Sequence, residues 1–175
     1  MTRSDARLEL RIEARGARHA GERGLPDWYE RLTLFGKPLG GEEEVVLFQG
    51  NWELRPLVSW LRECESQIRD ERTPISQRTG ETLGQTLARA YDAVTEDLPD
   101  DVFDLAIYSV NHYNRTHNLS VGASGMADFP RLLIGRGSDG HEICNWIADL
   151  DRDEAWRYLV DIDDFFASLP AEQDC

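Results

Sequence analysis

The stretch 51–71, NWELRPLVSWLRECESQIRDE, decides the fold. Leu54, Leu57, Val58, Leu61, Cys64 and Ile68 fall at i, i+3, i+4, i+7, i+10 and i+14, one stripe on a helix of 3.6 residues per turn. Trp60 widens that stripe. Glu63, Glu65 and Asp70 alternate with Arg55, Arg62 and Arg69 on the other side, as on a solvated face. Proline is tolerated in the first helical turn, so the spacing predicts a helix that starts near Pro56, with Asn51–Arg55 as its entry. This is the expected central core helix, and it carries no chemistry of its own.

Working back toward the N-terminus, Leu8, Leu10, Ile12 and Ala14 alternate with Arg7, Glu9, Arg11 and Glu13, the period of a half-buried strand. The segment 15–26, with Gly16, Gly21 and Gly24, reads as a loop. A second strand is expected over Trp28–Phe35, a turn over Gly36–Gly41, and a third strand over Val45–Gln49. Three strands with short links predict an antiparallel meander.

Beyond the central helix, Thr79 is placed to cap a helix carrying Leu83, Leu87, Ala90, Tyr91 and Val94. Asp100 is placed to cap a third helix with Phe103, Ala106, Ile107, Val110 and Tyr113 in line, flanked by Leu105 and Tyr108. So broad an apolar face predicts burial on more than one side. Leu119–Ala123 reads as a short strand. Arg131–Gly135 and Glu142–Ile147 read as a hairpin about Gly137-Ser138-Asp139-Gly140. Ala155, Tyr158, Leu159, Ile162, Phe165, Phe166 and Leu169 have helical spacing and predict one last helix, capped by Asp151 or Asp153. Residues 171–175 are expected to fray. The expectation is a single α+β domain over residues 1–175. It has an antiparallel sheet, an N-terminal three-stranded meander plus a C-terminal hairpin, packed on about four helices in the order βββ-ααα-β(β)β-α.

The formal net charge is −14 and is unevenly spread. Residues 1–80 carry 13 basic and 14 acidic side chains; residues 81–175 carry 6 and 19. A field of that sign repels phosphates and disfavours direct nucleic-acid binding, whereas it attracts a basic protein. Solubility alone also accounts for an acidic surface. Arginine outnumbers lysine 18 to 1, Lys37 being the lysine, which suggests a GC-rich bacterial source. The three cysteines, Cys64, Cys144 and Cys175, do not suggest a disulfide framework. No apolar run suggests a secretory signal or a membrane span. A cytoplasmic location is the expectation.

Motifs for chemistry are sparse. His112, His117, His141 and Cys144 are residue types that ligate zinc, but the five-residue spacing of the first two puts them about 140° apart around a continuous helix, and no metal is expected. The aspartates of Asp149–Asp153 resemble a calcium loop, yet the positions that should hold glycine and glutamate hold Glu154 and Val160. Gly122–Gly125 and Gly135-Arg136-Gly137 lack the ending of a phosphate loop, and no Gly-x-Ser-x-Gly elbow occurs. No cofactor is expected.

Three functions fit this inventory. The first is a non-catalytic acidic module that binds a basic partner protein, in the manner of an immunity protein or antitoxin, through Asp153, Asp161 and Asp164 on the outer face of the last helix. The second is a small enzyme or small-molecule binder using the polar run 111–118, with His112, Asn114 and His117, beside His141 and Cys144. A subunit anchored by exposed Trp28, Trp52 or Trp146 is a third.

Overall fold

Alternation of apolar and charged residues builds the first half of the sheet. The computed structural model describes residues 7–15, 30–38, 43–52, 54–123, 129–146 and 155–171. Strands β1 (Arg7–Arg15), β2 (Glu30–Pro38) and β3 (Val45–Trp52) form the expected antiparallel meander. Leu8, Leu10, Ile12, Leu32 and Leu34 are buried, while Arg7 and Glu9 are exposed. The strand β2 runs further than its composition suggests: Gly36, Lys37 and Pro38, read as a turn, still pair with β1.

The central stripe folds as two short helices, α1 (Leu54–Glu63) and α2 (Glu65–Asp70). Cys64, at φ −94° and ψ 3°, departs from helical geometry between them. The hydrogen bonds on either side persist, from Cys64 N–H to Trp60 O and from Ile68 N–H to Cys64 O, both 2.9 Å. The break therefore leaves the stripe on one side, and Leu54, Leu57, Val58, Leu61 and Ile68 are all buried. Pro56 is the third residue of α1, within the turn whose amides have no intrahelical partner.

Helix α3 (Leu83–Asp92) is capped by Thr82 rather than Thr79, in a reciprocal box with Gln85. Helix α4 (Asp100–His117) follows Pro99 with Asp100 already inside it, and α5 (Leu119–Gly122) is a single helical turn where a strand was expected. Strands β4 (Leu132–Arg136) and β5 (His141–Asn145) make the expected hairpin, closed by Gly137 N–H to Gly140 O at 2.8 Å, with Gly140 at φ +137°.

The C-terminus differs from the sequence reading. Residues 155–169 do not form one helix. They form β6 (Arg157–Val160), then α6 (Ile162–Ser168). Arg-Tyr-Leu-Val satisfies either period over so short a run, and pairing decides it: β6 is antiparallel to β5 and parallel to β1. The result is one mixed six-stranded sheet, β3-β2-β1-β6-β5-β4, two antiparallel meanders joined by a single parallel pair, not an all-antiparallel sheet.

The second meander is covered on both faces. Leu132, Ile134 and Ile143 share a core with α1, Ile68 of α2, and Phe165 and Phe166 of α6. Leu133 and Cys144 point the other way, against Leu83, Leu87 and Ala90 of α3 and Val110 and Tyr113 of α4. The chain is a single α+β domain, and no described helix is long and apolar enough to cross a membrane.

Candidate functional site

The histidines named from the sequence are spent on holding helices. His117 closes α4 and is fully buried; its ring stacks on Tyr113 with centroids 3.8 Å apart. Gly135 of β4 makes room for this pair, since a Cβ there would lie 2.6 Å from His117 Cδ2. Nε2 lies 3.2 Å from Gln67 O, and Nδ1 lies 2.9 Å from Thr116 Oγ and 3.0 Å from Tyr113 O. Each ring nitrogen therefore faces a carbonyl oxygen, and a neutral imidazole can donate to only one of the two. Burial lowers the imidazole pKa to about 4, so the ring is neutral at pH 7. His141 Nε2 lies 2.8 Å from Arg69 O. Arg69 is in the last turn of α2, where carbonyls lack helical partners, while Gln67 O also accepts from Glu71 N–H at 2.8 Å. Two histidines from distant parts of the chain therefore secure one helix end.

The remaining members of that group stand apart. His112 is partly exposed, stacked on Tyr108 with centroids 6.1 Å apart and 3.8 Å from a Glu71 carboxylate oxygen. Asn114 accepts from the Asn118 amide through its side chain at 3.0 Å. Cys144 is fully buried, and desolvation drives its thiol pKa far up, which removes it as a thiolate nucleophile at neutral pH. Among the described residues no three His, Cys, Asp or Glu side chains gather as a metal site would require.

A second polar cluster, which the sequence reading missed, surrounds the start of α3. Glu142 is completely buried and accepts from Leu83 N–H at 2.6 Å. Cys144 Sγ accepts from Gly84 N–H at 3.2 Å, and Thr82 Oγ1 from Gln85 N–H at 3.1 Å. Three of the first amides of α3 are thus satisfied by one cap and two β5 side chains. Gly84 allows the approach, because a Cβ there would overlap the Asn145 carbonyl. Arg157 neutralises Glu142 at 3.1 Å and reaches Asp139 at 2.8 Å. Burial still raises the Glu142 pKa, against the pull of the Leu83 amide and Arg157. The only sequence signal was an acidic residue next to the apolar pair Ile143-Cys144. Arg157 itself is buried.

Of the proposed docking aspartates, Asp153 lies outside the described residues. Asp161 is the N-cap of α6, accepting from Asp163 N–H at 3.0 Å and Asp164 N–H at 3.2 Å. Asp164 lies in the first turn of α6, on a cleft of about 380 Å³ that is also lined by Leu10, Arg11, Phe35, Lys37 and Ser168. Both carboxylates sit at the helix end where the dipole favours them, so helix stability explains their presence. Among the tryptophans, the side chains of Trp28 and Trp52 lie outside the described residues. Trp146 is half-buried, stacked on Tyr91 with Arg131 over its ring.

The surplus on this molecule is on α4. The face with Val110, Tyr113 and His117 is buried, but Val102, Leu105 and Tyr108 on the other side are 45%, 68% and 68% exposed. The breadth of the apolar pattern therefore does not report burial on two sides. Asp92, Glu96, Asp97, Asp100, Asp101 and Asp104 are all exposed around them, and residues 90–114 contain no lysine or arginine.

No protein-family model, curated protein or solved structure matches this chain significantly.

Proposed function

We propose that the protein is a non-catalytic acidic module that binds a basic partner protein. The observation that carries this reading is the segment 90–114, which has no lysine or arginine and presents six exposed carboxylates. Asp100 and Asp101 gain from the α4 dipole, but Asp92, Glu96 and Asp97 precede α4 and have no such reason to cluster. Repulsion among them raises the energy of the free protein and is relieved by a cationic surface. The polar groups that an enzyme would use are engaged elsewhere: His117 and His141 hold α2, and Glu142 and Cys144 hold α3. An immunity protein or antitoxin that neutralises a basic bacterial toxin has these physical requirements, and so has any inhibitor of a cationic protein.

The test is to capture the partner from the source cell, identify it, and measure its affinity at low and high salt. A partner of net positive charge is expected, with a Kd that rises at least about tenfold between 50 and 300 mM salt and changes mainly in association rate. A neutral or acidic partner, or a salt-insensitive Kd, would overturn the reading. So would turnover of a small molecule that disappears in His112→Ala or His141→Ala.

A further inference from the structure

Residues on a helix advance by about 100° each. On α4 this sets Leu105, Tyr108 and His112 at i, i+3 and i+7 on one line, opposite Phe103, Val110 and Tyr113. A line facing solvent ordinarily carries polar side chains. Here it carries a leucine and a tyrosine, each two-thirds exposed, with Val102 beside them. Asp101, four residues before Leu105, continues the line and Asp104 lies to one side of it, and both are exposed. Tyr108 already stacks on His112, which extends the apolar surface by one turn.

We propose that this face of α4 docks an amphipathic basic helix of a partner protein: an apolar stripe seated on Leu105 and Tyr108, with lysine or arginine on its flanks meeting Asp101 and Asp104. The proposal rests on the reading of the protein as an acidic binding module and adds the surface and the chemistry of the occupant. Charge complementarity selects that occupant. A second copy of this chain would bring a like-charged face and a further net charge of −14 against the first, so self-association through α4 is opposed. Nucleic acid is opposed on the same ground. An extended strand needs an open sheet edge, and α4 offers none because its backbone bonds are internal. A helix laid along α4 uses what the face offers: a tyrosine and a leucine as anchors, and a rim that steers the approach.

The test uses a synthetic helical peptide of about 18 residues, long enough to run beside α4, with a leucine stripe flanked by lysines. A control peptide of the same composition has the stripe scrambled. The titrations are run with the intact protein, and the variants Leu105→Ala with Tyr108→Ala, and Asp101→Asn with Asp104→Asn, are first checked for unchanged melting. The amphipathic peptide is expected to bind, and the scrambled one at least about tenfold more weakly. The apolar double variant should lose about tenfold or more at every salt concentration. The carboxylate double variant should lose affinity at low salt only, through a slower association rate. Equal binding of both peptides would overturn the proposal, since charge alone would then suffice. Equal binding of the apolar double variant and the parent would place the site elsewhere on the acidic surface, sinking the α4 assignment while leaving the basic-partner reading intact. No binding of either peptide overturns the proposal, and the salt dependence of the captured partner then decides separately whether the broader reading stands. A dimer in sedimentation that dissociates in the apolar double variant would make the occupant a second copy and overturn it as well.

Discussion

In α6 each large apolar side chain, Ile162, Phe165 and Phe166, is buried, and the carboxylates of Asp161 and Asp163 are engaged. Asp161 caps two amides, and Asp163 pairs with Arg69, whose guanidinium also lies over the Phe166 ring. In α4 Leu105 and Tyr108 face solvent instead, and Asp104, beyond the first turn where the dipole favours Asp100 and Asp101, has neither a side-chain hydrogen bond nor an ion pair among the described residues. The two helices have similar ingredients, aromatic, aliphatic and aspartate. They differ in whether the fold consumes them. A residue consumed by the fold explains itself; one left over is where an outside partner has something to gain.

The sharpest way to break this comparison is to truncate one side chain from each helix. Phe165 is fully buried against the sheet, so Phe165→Ala is expected to cost about 3–5 kcal/mol in a denaturant series. If Phe165→Ala cost no more than truncation on α4, the assignment of α6 to the core would be wrong.

Next in size is the acid response of α4's buried end. His117 has a pKa of about 4 in the folded chain, set mainly by desolvation, against an ordinary value of 6.5. A depressed pKa means the unfolded chain binds the proton first. The neutral ring therefore contributes stability that is complete above about pH 6.5 and is lost as pH falls toward 4, on the order of 3 kcal/mol. Glu81, lowered to about 2 chiefly by Arg89, adds a further loss below its ordinary value of 4.5, and so at lower pH. Urea melts at pH 7, 5.5 and 4.5 should show the first loss in the parent and a flatter profile in His117→Gln. Beside it, the buried Tyr113 hydroxyl has no hydrogen-bond partner among the described residues, an arrangement that costs about 1–3 kcal/mol. Tyr113→Phe should raise stability by about 1 kcal/mol.

What the sequence disclosed follows the range of the interactions involved. The β1 alternation and the 54–68 stripe are local patterns, and the structure buries Leu8, Leu10 and Ile12 of the first and Leu54, Leu57, Val58, Leu61 and Ile68 of the second. The split of 155–169 into β6 and α6 depends on partners far along the chain, Arg7 and Leu8 on one side and β5 on the other. Tyr158 and Val160 fit a strand as well as a helix, and only those partners choose. The same holds for the site. His117 was visible as a histidine, but its bond to Gln67 O spans fifty positions and leaves no local trace. Glu142 left no local sign of its burial, since nothing in Glu-Ile-Cys-Asn announces that a helix N-terminus rests on it. The exposed line of α4 was visible as an unusually broad apolar pattern. Reading breadth as burial was the error, because the count of apolar residues does not say how many neighbours the fold supplies.

A smaller effect tests the consumed carboxylates. Asp161 sits where two amides need an acceptor, so Asp161→Ala should cost about 1 kcal/mol, within the usual range for a cap. Changing Asp161 and Asp164 together to lysine should destabilise further, because positive charge at a helix N-terminus opposes the dipole. A stabilised double variant would mean that these aspartates are surplus too, and α6 would then compete with α4 as a docking face.

The smallest expected effect is the one that isolates the surplus. Leu105 on α4 is 68% exposed, so truncation opens no cavity and strips little area from contact with the protein. Its neighbours along the helix, Asp101 and Ser109, lie on the same exposed side, and Ser109 is occupied with the Leu105 carbonyl at 2.9 Å. Leu105→Ala keeps that backbone bond and replaces leucine with the best helix former, so its stability should move by less than about 0.5 kcal/mol in either direction. A larger loss would show that Leu105 is packed in solution, and the contrast between α4 and α6 would disappear. A value near zero for stability, set beside a large loss in binding to a basic amphipathic helix, is the signature of a side chain kept for a partner, because nothing inside the fold then accounts for it.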